Sequence, residues 1–396
     1  MKRMNALLLF LAGLLLVTSP LLAGDTEIGG EIYVNWRLNL NDQSLRAVSD
    51  PLLTDSTEVK SYNQFNITQA YIDLKHKFDD KFSARLTADI YNNEGGFNGW
   101  GFRAQYAYLQ IEKLLPHTSF RLGLQAPAWV EMVDAAWGLR YIDEASLEKL
   151  EYLPTADFGV GLYGTLPGDW GTLVLQILNG SGYTEAELNK HKDVALFASF
   201  TPLHNKPDFQ ESAIWLQYYK GYPNLEPLPG ISFADYTQKD RISFAGLFKY
   251  RQWCTFYIDY FMATDDVWPN RKADTTATGV NLPEQDKSKG VTAFAKLNVA
   301  TSETFLADIY VFGKAEFVDR HLDHKDPGLE LEAEENDAKY LTLGVGYELT
   351  DGFDFALTFK RATVNRLEEK PDEPGVPVRV AETERNTFMV NFIASF

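Results

Sequence analysis

The chain has almost no cysteine. Cys254 is the only one in 396 residues, so an intrachain disulfide, a cysteine-pair zinc site and a haem-attachment motif are all excluded. No internal stretch approaches the ~20 consecutive apolar residues that a membrane-spanning helix requires. Positive charge is also scarce: 37 Lys and Arg against 55 Asp and Glu give a net charge of -18 and a pI near 4.8. That balance argues against nucleic acid as a partner. Catalytic signatures are missing as well. There is no G-x-S-x-G, P-loop, H-E-x-x-H or C-x-x-C-H, and the glycine-rich "NGSGY" at 179–183 lacks the following helix a phosphate cradle needs. No enzyme and no cofactor is expected.

What is present is alternation. After an N-terminal Lys2-Arg3 and the apolar run Ala6 to Val17, which read as a secretory signal peptide over residues 1–23, the remaining 24–396 form one domain of repeating period-two segments. Ile32, Val34, Trp36, Leu38 and Leu40 oppose Tyr33, Asn35, Arg37 and Asn39; Phe82, Ala84, Leu86, Ala88 and Ile90 oppose Ser83, Arg85, Thr87 and Asp89. Such alternation belongs to strands with one apolar face. About sixteen segments of roughly ten residues recur. Short connections such as "DDK" at 79 and "TDG" at 350 alternate with long polar ones, around 41–63, 127–156, 180–190, 221–240, 265–288, 316–336 and 367–378.

This layout predicts an all-β fold: a transmembrane antiparallel β-barrel in the outer membrane, with short periplasmic turns and long extracellular loops. An even strand number closes the sheet and leaves no edge, as lipid demands. The closing "NTFMVNFIASF" then has a reason to look unprotected. Phe388, Val390, Phe392 and Phe396 are expected to face lipid and to meet the first strand at the barrel seam.

The stretch "RLGLQAPAWVEMVDAAWGLRYIDEASLEKLEYLPTADFGVGLYGTL", the following "LQILNGSGYTEAELNKHKDVALFASFTPL" and "FNITQAYIDLKHKFDDKFSARLTADIY" resemble the bacterial porin family named after the phosphate-selective porins O and P. The resemblance implies a sixteen-stranded barrel, commonly a homotrimer, whose third outer loop folds into the lumen. It also implies that the terminal aromatic strand is an insertion signal read by the barrel assembly machinery. Here the connection from Pro127 to Ala156 falls where such a loop should be.

The face opposite the apolar one is expected to line the lumen. It carries Arg37, Asp73, Lys75, Arg85, Asp89, Arg121, Lys296 and Lys360 among charges of both signs, which suits small polar solutes. The third loop holds Glu131, Asp134, Asp143 and Glu144 with Arg140. An acidic constriction disfavours phosphate and no extended arginine ladder is legible, so the phosphate specificity in the family's name is not carried over. Trp129, Trp137 and Tyr141 are expected to pack this loop on the wall. The acidic run 316–338, with His321 and His324, reads as a solvated outer loop that bridges to lipopolysaccharide through divalent cations. The expected function is a porin passing small hydrophilic solutes or ions by diffusion. The alternatives are a channel selective for an anion or an oligosaccharide, and a barrel that sheathes a periplasmic electron-transfer lipoprotein.

Overall fold

Period-two alternation needs a partner strand on each side, and a chain that supplies sixteen such strands satisfies all of them by closing on itself. The computed structural model describes residues 24–40, 43–45, 57–59, 63–93, 99–224, 239–267, 284–299, 308–319, 337–370 and 373–396. The expected leader 1–23 and the acidic stretch 320–336 with His321 and His324 lie outside these residues. Within them run β1 (Asp25–Asn39), β2 (Asn63–Lys77), β3 (Phe82–Asn93), β4 (Gly99–Glu112), β5 (Thr118–Gln125), β6 (Asp157–Thr165), β7 (Gly171–Leu178) and β8 (Asp193–Phe200). They are followed by β9 (Ala213–Gly221), β10 (Lys239–Tyr250), β11 (Cys254–Val267), β12 (Glu284–Asn298), β13 (Ile309–Asp319), β14 (Ala338–Thr350), β15 (Phe353–Lys370) and β16 (Glu373–Ser395).

Each strand pairs antiparallel with its sequence neighbours, and β1 pairs with both β2 and β16, so the sheet is a closed sixteen-stranded barrel. The seam is in register, with Trp36 opposite Val390 and Leu38 opposite Phe388. It ends in a reciprocal pair of backbone hydrogen bonds: Gly30 N–H donates to the Phe396 carbonyl at 2.9 Å and Phe396 N–H to the Gly30 carbonyl at 3.0 Å. A separate two-stranded sheet joins Gln43–Leu45 to Thr57–Val59. No helix among the described residues is long and apolar enough to cross a membrane.

The two faces are chemically distinct. On β9, Ile214 is 58% exposed while Trp215 beside it is 1% exposed, which sets odd residues inward and even residues outward. Register shifts interrupt this rhythm in several places, two of them in the first strands. Tyr33 pairs with Gln69 but Val34 with Ile67, which leaves Thr68 as the extra residue; Thr87 pairs with Tyr106 but Ala88 with Ala104, which leaves Gln105. Beyond Gln105 the outward set changes from Phe102 and Ala104 to Ala107 and Leu109, so a strict alternation cannot be read through β4.

Several strands outrun their apolar segments. β13 continues to Asp319, so Glu316 belongs to a strand and not to the outer loop expected from 316. β15 and β16 continue to Lys370 and from Glu373, so most of the expected 367–378 connection is paired strand. Sequence patterning ends where the apolar band ends, whereas backbone pairing carries on through polar residues above it.

Candidate functional site

Between β5 and β6 the chain turns into the barrel instead of rising above it. Pro127 precedes helix α1 (Ala128–Trp137), which stops at Gly138 in the left-handed region (φ 64°), and a single turn, α2 (Ser146–Lys149), follows before β6. Gln176 of β7 clamps the entry. Its Oε1 accepts the Ala128 N–H at 2.9 Å and its Nε2 donates to the Ala126 carbonyl at 2.9 Å. One otherwise orphaned donor of the first helical turn is thereby satisfied.

The apolar face of this segment is buried against rings on the inside of β8 to β13. Trp129 lies 6.2 Å from Trp215 and 6.3 Å from Phe197, and Trp137 lies 4.9 Å from Phe294, which stacks on Tyr257 at 4.5 Å. Tyr152 meets Phe261 at 5.0 Å. Such pairs contribute roughly 0.5–1.5 kcal/mol each beyond simple burial. The rings fit because facing positions are small. A Cβ added at Gly344 would come within 2.2 Å of the Phe312 ring, and one at Gly346 within 2.1 Å of the Tyr310 ring.

The loop's tip is fixed by charge. Asp143 receives Lys314 Nζ at 3.0 Å, Lys149 at 3.1 Å and Lys360 at 3.3 Å. Lys149 also meets Glu316 at 2.6 Å, and Lys314 reaches Glu316 at 3.2 Å and donates to the Glu144 carbonyl. Burial alone would raise the Asp143 carboxyl, but the three ammonium groups outweigh it and hold it well below the usual carboxylate range. Within the loop, Arg140 grips Glu148 through two bonds of 2.6 Å and also binds Asp134. Burial pushes Asp134 up to about 7, with Arg140 opposing the shift and Glu148 adding to it. Glu144 is raised in the same way, by burial first and by Glu148 next.

Across from the loop's polar face stands a wall of arginines and tyrosines. Arg85 on β3 lies over Tyr106 at 4.8 Å, Arg103 on β4 over Tyr91 at 4.0 Å and Tyr183 at 4.6 Å, and Arg121 on β5 over Tyr163 at 4.3 Å and Tyr108 at 5.0 Å. Each guanidinium also has an acid: Asp73 at 2.8 Å, Asp89 at 2.8 Å and Glu131 at 2.9 Å respectively. Tyr33 and Tyr71 continue the wall, and the loop's Tyr141 packs beside Tyr33 with its hydroxyl 2.7 Å from that of Tyr310.

The residues singled out in the sequence fall into three places. Glu131, Asp134, Arg140, Asp143 and Glu144 sit on the internal loop; wall and loop cations pair with Glu131, Asp134 and Asp143, whereas among the described residues the Glu144 carboxylate takes no hydrogen bond or ion pair. Arg37, Asp73, Lys75, Arg85, Asp89, Arg121, Lys296 and Lys360 share the inward face; Lys75 bridges Asp73 at 3.4 Å and Glu27 at 3.5 Å, and Lys296 lies 4.4 Å from the Tyr310 ring centre. Phe388, Val390 and Phe392 are on the outward face of β16, and Phe396, just beyond its end, is 73% exposed. Arg103 escaped sequence reasoning because the Gln105 bulge hides its face. Glu316 escaped it because an acidic run looks like a loop. The outward partners Val311 and Phe317, with small Gly313 and Ala315 between them, were the available signal.

No family model matches the sequence, and no curated protein matches it. Solved structures do match over nearly all of both chains. The outer membrane channel DcaP of Acinetobacter baumannii aligns at 11% identity over 94% of this chain and 98% of its own, with a TM-score of 0.58. An anion-selective porin from Comamonas acidovorans aligns at 9% identity, over 94% and 100%, with a TM-score of 0.61. The fold is that of the outer-membrane porins. The in-vitro folded trimer form of OmpT, an outer membrane protein of Vibrio cholerae, shares this porin fold at 12% identity, over 94% and 100%, with a TM-score of 0.54.

Proposed function

We propose that the chain is an outer-membrane porin that lets small hydrophilic solutes and ions diffuse through a lumen narrowed by the 127–156 loop, working as a homotrimer and without catalysis. The observation that carries this reading is the loop's anchorage. One face is packed on aromatic rings and its tip is tied at Asp143, so its polar face is held against the arginine–tyrosine wall. Charges of both signs along that path give weak selectivity. Long connections face outward, and outer-leaflet lipid and lipopolysaccharide surround the barrel. The aromatic end of β16 serves as the signal for the barrel assembly machinery. The fold shared with porins, one of them in trimer form, supports channel and assembly alike. Kinship with the phosphate-selective porins O and P rests on the motifs of 65–91 and 121–203.

A selective channel for anions is the second reading, favoured by three guanidiniums on adjacent strands with tyrosines between them. Planar-bilayer recording in a salt gradient decides between the two. An ohmic conductance with a small cation preference fits the diffusion channel. A strong anion preference moves the assignment to the arginine wall, and absence of conductance removes both.

A further inference from the structure

The glycine-rich "NGSGY" at 179–183 ends β7 and brings a ring back to the lumen wall. Gly180 and Gly182 both lie in the left-handed region, at φ 95° and 75°, where a side chain would be strained. The Gly180 N–H donates to Asp157 Oδ2 at 2.7 Å, which pins the turn to the start of β6. Tyr183 is thereby carried over Arg103 of β4, 4.6 Å from the guanidinium carbon to the ring centre, and its hydroxyl lies beside Thr155 at the tail of the internal loop. A second connection, besides 127–156, thus reaches the arginine–tyrosine wall.

Arg103 is fixed in place yet keeps one edge open. Tyr91 lies 4.0 Å from it, and can do so because the strand partner of Tyr91 is Gly101, where a Cβ would come within 2.4 Å of the ring. Nε donates to Asp89 Oδ2 at 2.8 Å. Among the described residues the two terminal nitrogens make no hydrogen bond, whereas Nη1 of Arg121 is taken by Glu131 and Tyr163. The Arg103 side chain remains 30% exposed while that of Asp89 is fully buried, and Asp89 Oδ1 is left without a donor.

The open fork of a guanidinium presents two parallel donors, which suit a carboxylate or a phosphate. Charge decides between them. Asp89 already cancels the charge of Arg103, so a dianion meets a neutral pair and a buried carboxylate behind it, whereas a monoanion adds only one charge. We infer that Arg103, covered by Tyr183 and flanked by Tyr91, is a binding subsite for the carboxylate of a small monocarboxylate solute on its way through the lumen, an inference that rests on the porin reading. The carboxylate comes from a simple organic acid or from an α-amino acid. Asp89 Oδ1 separates the two sources, because an α-ammonium supplies the donor it lacks.

Saturation-transfer difference NMR on the chain purified in detergent reads binding without requiring an open pore. The probes are acetate, glycine and inorganic phosphate at pH 7, each titrated to a dissociation constant. Acetate and glycine are expected to bind and phosphate to bind more weakly; glycine ahead of acetate identifies the amino acid as the source, and the reverse order the organic acid. R103Q should weaken both about tenfold, the scale of one charge-assisted contact. Because R103Q leaves Asp89 unmatched, D89N/R103Q is measured beside it and should show the same loss of acetate. Y183A should weaken binding and Y183F, which keeps the ring, should recover it. Unchanged acetate binding in D89N/R103Q overturns the subsite, and phosphate bound as tightly as acetate overturns the carboxylate as its ligand. Wild-type affinity in Y183A removes Tyr183 from it. Bilayer conductance is measured on the same preparations: its absence counts against the pore, whereas a conducting channel that binds no carboxylate counts against the subsite alone.

Discussion

Lys314 Nζ lies 3.0 Å from Asp143 Oδ2, joining β13 to a loop 171 residues earlier in the chain. Both side chains are almost fully withdrawn from solvent, with exposures of 2% and 7%. Two further lysines converge on the same carboxylate, so among the described residues Asp143 is the one anion that three cations share directly.

Asp143→Asn should therefore be the most disruptive single substitution in the loop. Removing one partner of a buried ion pair costs about 3–5 kcal/mol, chiefly because the remaining charge is left unmatched. The heat-modifiable barrel is expected to melt at lower temperature and its single-channel current to become noisier as the tip detaches. Lys360→Met, which leaves two ammonium groups on Asp143, should have a smaller effect. Equal effects from both would show that the tip is not held at Asp143.

The aromatic seat makes a different demand. Trp137 packs on Phe294 and donates its indole N–H to the Asp143 carbonyl at 3.0 Å. Trp137→Ala should cost about 3–5 kcal/mol, as for other large-to-small core substitutions. Trp137→Phe should recover most of it. Denaturant unfolding in detergent measures both, and an alanine variant of wild-type stability would mean that this ring merely rests against the wall.

Much of this architecture is legible in the sequence. Alternation at Ile32 to Leu40 or Phe82 to Ile90 reports which face meets lipid, because that face must be continuously apolar. The inward face is harder to read: here it is aromatic where the loop packs, as at Trp215, Tyr257 and Phe294, and charged elsewhere. Seen locally, an inward Trp215 next to an outward Ile214 carries no sign of its side. The Gln105 bulge shifts the phase in mid-strand and conceals Arg103. The partnership of Asp143 with Lys314 is set by barrel closure, which brings distant strands around one interior and leaves no trace in local spacing.

Asp134 supplies a pH dependence near neutrality. Its folded value of about 7 is above the ordinary aspartate value near 3.9. The folded chain thus keeps a proton that the unfolded chain has released. The stability from this group is complete below about pH 4 and is lost as pH rises through about 7. The same rise places a negative charge on the loop. Cation preference, read as reversal potential in a salt gradient, should be stronger at pH 8 than at pH 6, and Asp134→Asn should abolish the difference. An unchanged pH response in that variant assigns the titration to another group.

Glu131 tests the side of the loop that faces the arginines. It is 40% exposed and takes Arg121 Nη1 at 2.9 Å, so its pairing is only partly shielded and worth little to stability. Glu131→Gln should leave the melting temperature nearly unchanged while freeing the Arg121 charge, and the reversal potential should move towards anions. A shift towards cations, or none, would place the permeation path away from Arg121.

Phe396 closes the barrel twice over. Its backbone makes the last two hydrogen bonds of the seam with Gly30, and its exposed ring ends the outward row of Phe388, Val390 and Phe392. Deleting Phe396 removes both contributions, whereas Phe396→Ala removes only the ring. If the seam bonds dominate, the alanine variant assembles normally and the deletion gives less heat-modifiable barrel. If ring recognition by the assembly machinery dominates, both variants accumulate unfolded in cells, yet the alanine variant refolds in detergent at a normal rate. Comparing outer-membrane abundance with detergent refolding for the two variants separates a structural seam from an insertion signal. Normal abundance of the deletion would remove Phe396 from both roles.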